Sequence, residues 1–218
     1  MIQRKALRED VHREIQSRIV DGRLPAGRRI NESHLAADLG ISRTPLREAM
    51  LTLAAAGFLD TRLGHGFLVP ALDPREFRDI QGVLGHLEPF ALVLAHNPTP
   101  SVLMEISNLL GRAAMRPGAD QAVPLSSLSG SVATKLLETV PNRILTRDIL
   151  RLESLSCRYW RVAITRGLEI PPILDSLGEI YECLRQGRLP AAAELWAHHI
   201  EAAADQAVAR LTTSQFES

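Results

Sequence analysis

Glycines and capping residues divide the first 70 residues of this chain into three short helical segments and a hairpin, and few folds accept that order. Apolar side chains recur at helical spacing from Val11 to Val20, which predicts an amphipathic helix over about residues 7–21. Gly22 ends this helix, because glycine readily adopts the left-handed conformation that follows many helices.

Two further helices are predicted, and each begins at a residue whose side chain can accept a hydrogen bond from the first turn. Asn31 caps the second helix, which ends at Gly40. Ser42 caps the third helix, which runs to about Ala56 and tolerates Pro45 in its first turn. Gly40 therefore supplies the turn of a helix-turn-helix.

Two short apolar runs, residues 58–63 and 67–70, flank the tip Gly64-His65-Gly66 and predict a β-hairpin. Three helices followed by a hairpin make a winged helix-turn-helix, which we expect over about residues 7–70.

The remainder of the chain shows only helical patterning. Six helices are predicted, near residues 73–97, 100–115, 121–140, 142–166, 171–187 and 189–212. A segment of about 145 residues can bury its own core, and short breaks between helices favour antiparallel neighbours. We therefore expect a mainly α protein, with a DNA-binding winged helix-turn-helix at residues 1–72 and an all-α antiparallel bundle at residues 73–218.

Charge is unevenly distributed, although the formal net charge is zero. Residues 1–72 carry 11 Lys and Arg against 8 Asp and Glu, whereas residues 73–218 carry 14 against 17. A basic excess confined to the first part is compatible with a DNA-binding head.

No apolar run approaches the roughly 18 residues of a membrane span, and the N-terminus lacks a signal-peptide core, so a cytoplasmic protein without a membrane partner is expected. Cys157 and Cys183 are then expected to be buried thiols.

The first turns of the third helix carry Ser42, Arg43, Thr44 and Arg47, at the part of a recognition helix that meets base edges. Arg43 suits a bidentate contact with guanine, and Arg47 lies one turn further on, within reach of a base or a phosphate. The hydroxyls of Ser42 and Thr44 suit a phosphate oxygen. The alternative interpretation is a solvated charged helix face.

The predicted wing offers a second DNA contact. Gly64 and Gly66 let the backbone approach DNA closely, His65 could reach the minor groove or a phosphate, and Arg62 lies at the base of the wing. An ordinary hairpin turn with an exposed histidine is the alternative.

These segments together resemble the winged-helix signature of the GntR family. The resemblance is carried by residues 22–27 (GRLPAG), 30–32 (INE), 35–36 (LA) and 42–49 (SRTPLREA). It implies that Arg43, Thr44 and Arg47 contact operator DNA together with the wing tip, residues 64–66. Many members carry a DNA-binding Arg after the residue matching Glu32; this chain has Ser33, so one contact is expected to be missing.

Residues 73–218 resemble the all-helical, FadR-type ligand-sensing (FCD) domain of that family. The resemblance is carried by Leu87-Glu88-Pro89 with Ala91, by Val140-Pro141-Asn142, and by the segment from Gly187 to Glu201. Many such domains hold a divalent metal through one Asp and three His. Ser129, Ala133 and Leu177 occupy three of those positions here, and His199 alone remains.

One imidazole cannot hold a metal that needs three or four donors, so no metal and no cofactor are expected. A small organic effector is expected instead, in a pocket lined by His199, Arg158, Ser129 and Leu177. Because the substitutions make the cavity less polar, a larger or more apolar effector is one hypothesis. Leu84 replaces an Arg common in the family, which weakens any carboxylate site.

The sequence thus predicts a homodimeric, metabolite-responsive repressor that binds a palindromic double-stranded operator. The alternative is a constitutive DNA-binding protein whose helical domain only dimerises and senses no ligand. An enzyme is not expected, because residues 73–218 contain no HExxH, nucleophile elbow or glycine-rich phosphate loop.

Overall fold

The computed structural model describes residues 2–62, 66–115 and 128–212. The chain divides into two compact units, Met1–Leu72 and Asp73–Ser218. The mainly α architecture predicted from the sequence is confirmed. None of the helices in the described ranges combines the length and the hydrophobicity of a bilayer-spanning segment.

The first unit contains three helices and a two-stranded antiparallel hairpin. In chain order these are α1 (Ile2–Val20), α2 (Glu32–Asp38), α3 (Arg43–Ala55), β1 (Asp60–Arg62) and β2 (Gly66–Leu68). Asn31 caps α2 as predicted, since its Oδ1 accepts a hydrogen bond of 3.1 Å from the backbone N–H of His34. Ser42 occupies the N-cap position of α3, but its side chain makes no capping hydrogen bond.

The core of this unit forms where α1 packs on α3, and Ile15, Leu46, Met50 and Leu53 are completely buried there. The chain just before α2 runs beside β2: the backbone N–H of Ile30 donates to the carbonyl of Phe67 at 2.9 Å. The start of α2 and the base of the wing are therefore held next to each other.

The second unit is a bundle of helices. Those described are α4 (Pro74–Leu94), α5 (Pro100–Met115), α6 (Leu128–Leu137), α7 (Arg143–Thr165), α8 (Pro171–Arg185) and α9 (Leu189–Thr212). The helix predicted over residues 121–140 is observed from Leu128; residues 121–127 lie outside the described residues.

Helix α9 packs along α4 and α8, and α4 also packs against α7. Asp73 caps α4 and Asn142 caps α7, each accepting a hydrogen bond from a backbone N–H in the first turn. Phe77 and Tyr159 stack with ring centroids 5.2 Å apart, and Trp196 of α9 is 1% exposed. The stack joins α4 to α7, and a hydrogen bond from Trp196 to Glu88 joins α9 to α4.

Candidate DNA-recognition surface and effector cavity

The front of α3 presents its polar residues to solvent. Ser42, Arg43, Thr44 and Arg47 are all exposed. Asn31 and Gly40 fix how α2 approaches α3, because Asn31 starts α2 and Gly40, at a φ of 64°, reverses the chain after it. Arg43 and Arg47 are therefore exposed to solvent and not packed in the core, as the DNA-binding interpretation requires.

Arg43 contacts the neighbouring helix. Its Nη2 donates a hydrogen bond to Oγ of Ser33 on α2. Ser33 is the position at which the family resemblance implies an arginine. The hydroxyl found there orients Arg43, whereas a second guanidinium would repel it.

Arg47 is held by two elements. Its Nη1 lies 3.3 Å from Oε2 of Glu32 on α2, and its guanidinium carbon lies 5.9 Å from the centroid of the Phe67 ring on β2. The side chain of Glu32 is 17% exposed and that of Arg47 is 58% exposed. The ion pair thus anchors Arg47 while its guanidinium remains accessible to a large ligand.

Gly66 begins β2 against the same glutamate. Its φ is +73°, and a Cβ there would lie 3.2 Å from Oε1 of Glu32, so the position favours glycine on both grounds. Arg62 ends β1. The predicted contacts at Gly64 and His65 lie outside the described residues.

Sequence reasoning did not select Glu32 or Phe67 as part of this surface. Glu32 enters the sequence analysis only as part of the family motif, and Phe67 only as part of an apolar run. The motif does not reveal that Glu32 pairs with Arg47, 15 positions further along the chain. That pairing follows only from how α2 crosses α3.

His199 of α9 is the centre of a buried polar cluster in the second unit. Its Nε2 is 2.9 Å from Oγ of Ser129 on α6, and its Nδ1 is 2.7 Å from Oγ of Ser176 on α8. Burial lowers the pKa of His199 to about 4, so the imidazole is neutral at pH 7. One ring nitrogen then donates to one serine, and the other accepts from the second serine.

Both imidazole nitrogens are therefore occupied by hydroxyl groups. Within the described ranges, no group of three or more His, Cys, Asp or Glu is placed to hold a metal ion. The donor set around His199 consists of two hydroxyls and one imidazole, which does not fit a site for zinc or a similar ion.

Ser176 is a residue that sequence reasoning missed. The comparison with the family pattern put Leu177 at a ligand position, but the side chain that contacts His199 is one residue earlier on α8. Leu177 is 1% exposed. Helical spacing in the sequence distinguishes Ser176 from Leu177, because Leu177 continues the apolar stripe of Ile173, Ile180 and Leu184 and so belongs to the core.

Arg158 of α7 is buried and is hydrogen-bonded to the beginning of α4. Its Nη2 donates to Oε2 of Glu76 at 3.1 Å and lies 3.3 Å from the hydroxyl of Tyr159. The Tyr159 hydroxyl also donates to Glu76. These contacts join α7 to α4, while His199 contacts α6 and α8.

Ser129 also borders a small, mainly apolar cleft with a cavity volume of about 20 Å³. The other walls are formed by Leu128, Gly130, Trp160, Ile164, Leu168, Ile170 and Ile173.

Comparison with known proteins identifies both units. The family described as bacterial regulatory proteins, gntR family, matches residues 7–69, and the FCD domain matches residues 79–202. The HTH-type transcriptional regulator McbR of Escherichia coli K12 is 35% identical over 101 residues, which are 46% of this chain and 46% of McbR. The Nta operon transcriptional regulator of Aminobacter aminovorans is 45% identical over 69 residues, 32% of this chain and 33% of that protein. These matches span less than half of each relative's length.

Solved structures share the fold. E. coli McbR/YncC has a TM-score of 0.78 at 22% identity, covering 96% of this chain and 98% of that chain. A GntR transcriptional regulator from Rhodococcus sp. RHA1 has a TM-score of 0.78 at 19% identity, covering 93% and 97%. The relatives named here are transcription regulators.

Proposed function

The chain belongs to the GntR family of bacterial regulatory proteins, with an FCD domain after the winged helix, and on this premise we propose that it is a homodimeric, effector-responsive repressor. It binds a palindromic operator through residues 1–72, and residues 73–218 dimerise and bind the effector. A regulator of this kind acts in the cytoplasm.

The arrangement of Arg43 and Arg47 carries the DNA-binding part of the proposal. Both are exposed on the first two turns of α3, and each is oriented by a side chain of α2. A pre-oriented guanidinium loses less freedom when it forms a bidentate contact with guanine. Ser42, Thr44 and the wing residues Arg62, Gly64, His65 and Gly66 are assigned to the flanking DNA contacts.

An exposed apolar stripe on α4 supports the homodimer. Val83, Phe90 and Val93 are 47%, 53% and 57% exposed. The adjoining groove between α4 and α9 carries Arg78 on α4 and acidic residues on α9, among them Glu201. A two-fold axis would place basic and acidic groups of the two copies opposite each other, as a self-complementary interface requires.

We place a metal-free effector site at the cleft beside Ser129, whose walls must move apart to admit an organic molecule. Its walls are mainly apolar, and His199 directs both nitrogens to serines. We assign Ser129, His199, Leu177 and Arg158 to the cleft and to the core that shapes it. Effector binding acts on DNA affinity only to the extent that the effector prefers one dimer geometry.

Selection of duplexes from a random library, followed by fluorescence anisotropy, tests the proposal. We expect a palindromic consensus, and Arg43→Ala should weaken binding to it by about 10- to 100-fold. Arg13→Ala, which removes an exposed arginine of α1, is the matched control and should have a small effect. Full operator affinity of a folded Arg43→Ala protein would refute the assignment.

A further inference from the structure

Leu51 of α3 is an apolar side chain on a surface that is otherwise polar. It is 54% exposed, and no other large apolar residue among the described side chains of the first unit is exposed to this extent. Leu46, Met50 and Leu53 of the same helix are completely buried. A single exposed leucine is ordinary by itself, so its position on the helix decides what it can do.

Leu51 lies in the middle of the exposed face of α3. Successive residues of an α-helix are turned by about 100°, so Leu51 is turned by about 20° from Thr44 and by about 40° from Arg47. Both of these residues are exposed, as is Arg43 at the beginning of the helix. Leu51 therefore continues the row of side chains that we assign to the operator, about 6 Å further along the helix axis than Arg47.

The helix that carries Leu51 is fixed by its other contacts. Met50 and Leu53 are packed in the core where α3 meets α1, and Arg47, one turn earlier, is paired with Glu32. Leu51 cannot turn inward unless these residues turn outward. The major groove of DNA is about 12 Å wide and about 8.5 Å deep, so a recognition helix that places Arg47 at the base edges also brings Leu51 into the groove.

One base in the major groove offers an apolar partner. All base pairs present hydrogen-bond donors and acceptors there, and thymine adds its C5-methyl group. The leucine side chain has no atom that donates or accepts a hydrogen bond, so it would leave a phosphate, a guanine or a base amine without a partner. Contact with a methyl group instead removes apolar surface from water on both molecules.

We propose that Leu51 is a specificity-determining residue of the recognition helix, and that its side chain packs against the C5-methyl group of one thymine in each operator half-site. Arg43 and Arg47 select other base pairs by hydrogen bonds, whereas Leu51 selects thymine by shape and polarity. This inference rests on the proposed function, because it assigns a base preference to the same DNA-binding surface.

Replacement of thymine by deoxyuridine tests the contact, because it removes the methyl group and leaves base pairing intact. The operator is selected from a random duplex library, and each thymine of the half-site is then replaced in turn. At one position we expect fluorescence anisotropy to show an affinity about four-fold lower when one half-site is changed, and about 15-fold lower when both are changed. The proposal is overturned if no thymine position shows this loss.

Variants identify the side chain that contacts the methyl group. Leu51→Ala should weaken binding to the thymine operator and bind the deoxyuridine operator equally well, because the shortened side chain does not reach the methyl group. Leu51→Met keeps an apolar side chain of similar size and should retain most of the thymine preference. Thr52→Ala, at an exposed position turned by about 100° from Leu51, is the matched control and should retain all of it.

Circular dichroism checks that each variant is folded, which the exposure of Leu51 leads us to expect. A folded Leu51→Ala protein that retains the full thymine preference contradicts the proposal. If this variant instead changes the oligomeric state in sedimentation and leaves the thymine preference intact, Leu51 belongs to a protein interface and the thymine contact is refuted.

Operator selection separates this inference from the proposed function. If the chain binds a palindromic operator and deoxyuridine has no effect at any position, the thymine contact fails and DNA binding is upheld. If the chain selects no duplex from the library, the proposed function and the thymine contact are both refuted. A thymine preference that is present in the unmodified chain and lost in Leu51→Ala supports both.

Discussion

Glu32 Oε2 lies 3.3 Å from Nη1 of Arg47, so an acidic residue of the second helix holds an exposed arginine of the third, which we assign to DNA contact. The Phe67 ring on β2 supports the same guanidinium from the wing. An arginine fixed in this way keeps one direction of approach to a base pair, which favours discrimination over non-specific attraction.

Glu32→Gln should therefore reduce specificity. The variant removes the charge that anchors Arg47, and it also removes a negative group near the DNA backbone. We expect non-specific affinity to rise while the ratio of specific to non-specific affinity falls by about five-fold or more, as anisotropy with operator and scrambled duplexes would show. Glu48→Gln on the exposed side of α3 controls for charge alone. An equal fall in both variants would contradict an anchoring role.

Ser33→Arg should add the phosphate contact that the family pattern implies and this chain lacks. Each added contact makes the slope of log affinity against log salt steeper by about 0.9, so a homodimer with the substitution in both copies should show a change of about 1.8. Arg43 would lose its hydrogen bond to the Ser33 hydroxyl in the same variant. Ser33→Ala removes that bond without adding charge, so its salt slope should match the original chain. An unchanged slope in Ser33→Arg would show that this position does not face DNA.

Phe90→Glu should weaken dimerisation. Phe90 lies in the exposed apolar stripe of α4, and a buried unpaired carboxylate at an interface is strongly unfavourable. We expect at least a ten-fold higher dimer dissociation constant by analytical ultracentrifugation. Met104→Glu, at an exposed apolar position of α5, is the matched control and should sediment like the unmodified protein. If only the control dissociates, α5 rather than α4 forms the interface.

Acid should destabilise the second unit through His199. Its pKa is lowered by burial to about 4 in the folded chain, against an ordinary value of 6.5. Because the pKa of His199 is lowered in the folded chain, its contribution to stability is fully present above pH 6.5. That contribution is lost as the pH falls from 6.5 through 4, and the total loss in the free energy of unfolding is about 3 kcal/mol at full protonation.

Urea unfolding of the chain and of His199→Gln between pH 7.5 and pH 4 measures this contribution. The difference in the free energy of unfolding between the two proteins should shrink on acidification, because glutamine does not titrate. His198→Gln, at the exposed neighbouring position, should follow the original pH profile. A constant difference across this range would exclude His199 as the titrating group.

Local signals in the sequence predicted much of the DNA-recognition unit. Asn31 starts α2 as its side chain suggested, and Gly40 separates α2 from α3. The hydroxyl of Ser42 does not cap α3, although the residue occupies the expected position. Propensity and spacing determine where helices begin and end, and these preferences act over a few residues.

Contacts between distant residues could not be predicted in the same way. The pairs Ser33–Arg43 and Ser129–His199 are separated by 10 and 70 positions. Each depends on how two helices cross, which is set by packing of whole faces. The family pattern put His199 and Ser129 at ligand positions, and the two are hydrogen-bonded in the structure. It could not distinguish Ser176 from Leu177, because a shift of one residue turns a helix by about 100°.

The approach of Gly66 to Glu32 also has a consequence for engineering new operator preferences. β2 begins against Glu32, which anchors Arg47, and its Phe67 ring packs under the Arg47 guanidinium. The base of the hairpin and α3 are therefore structurally coupled. Libraries that randomise Arg43 and Thr44 but retain Glu32, Gly66 and Phe67 should yield folded regulators with altered targets. Libraries that also vary those three would lose the scaffold along with the specificity.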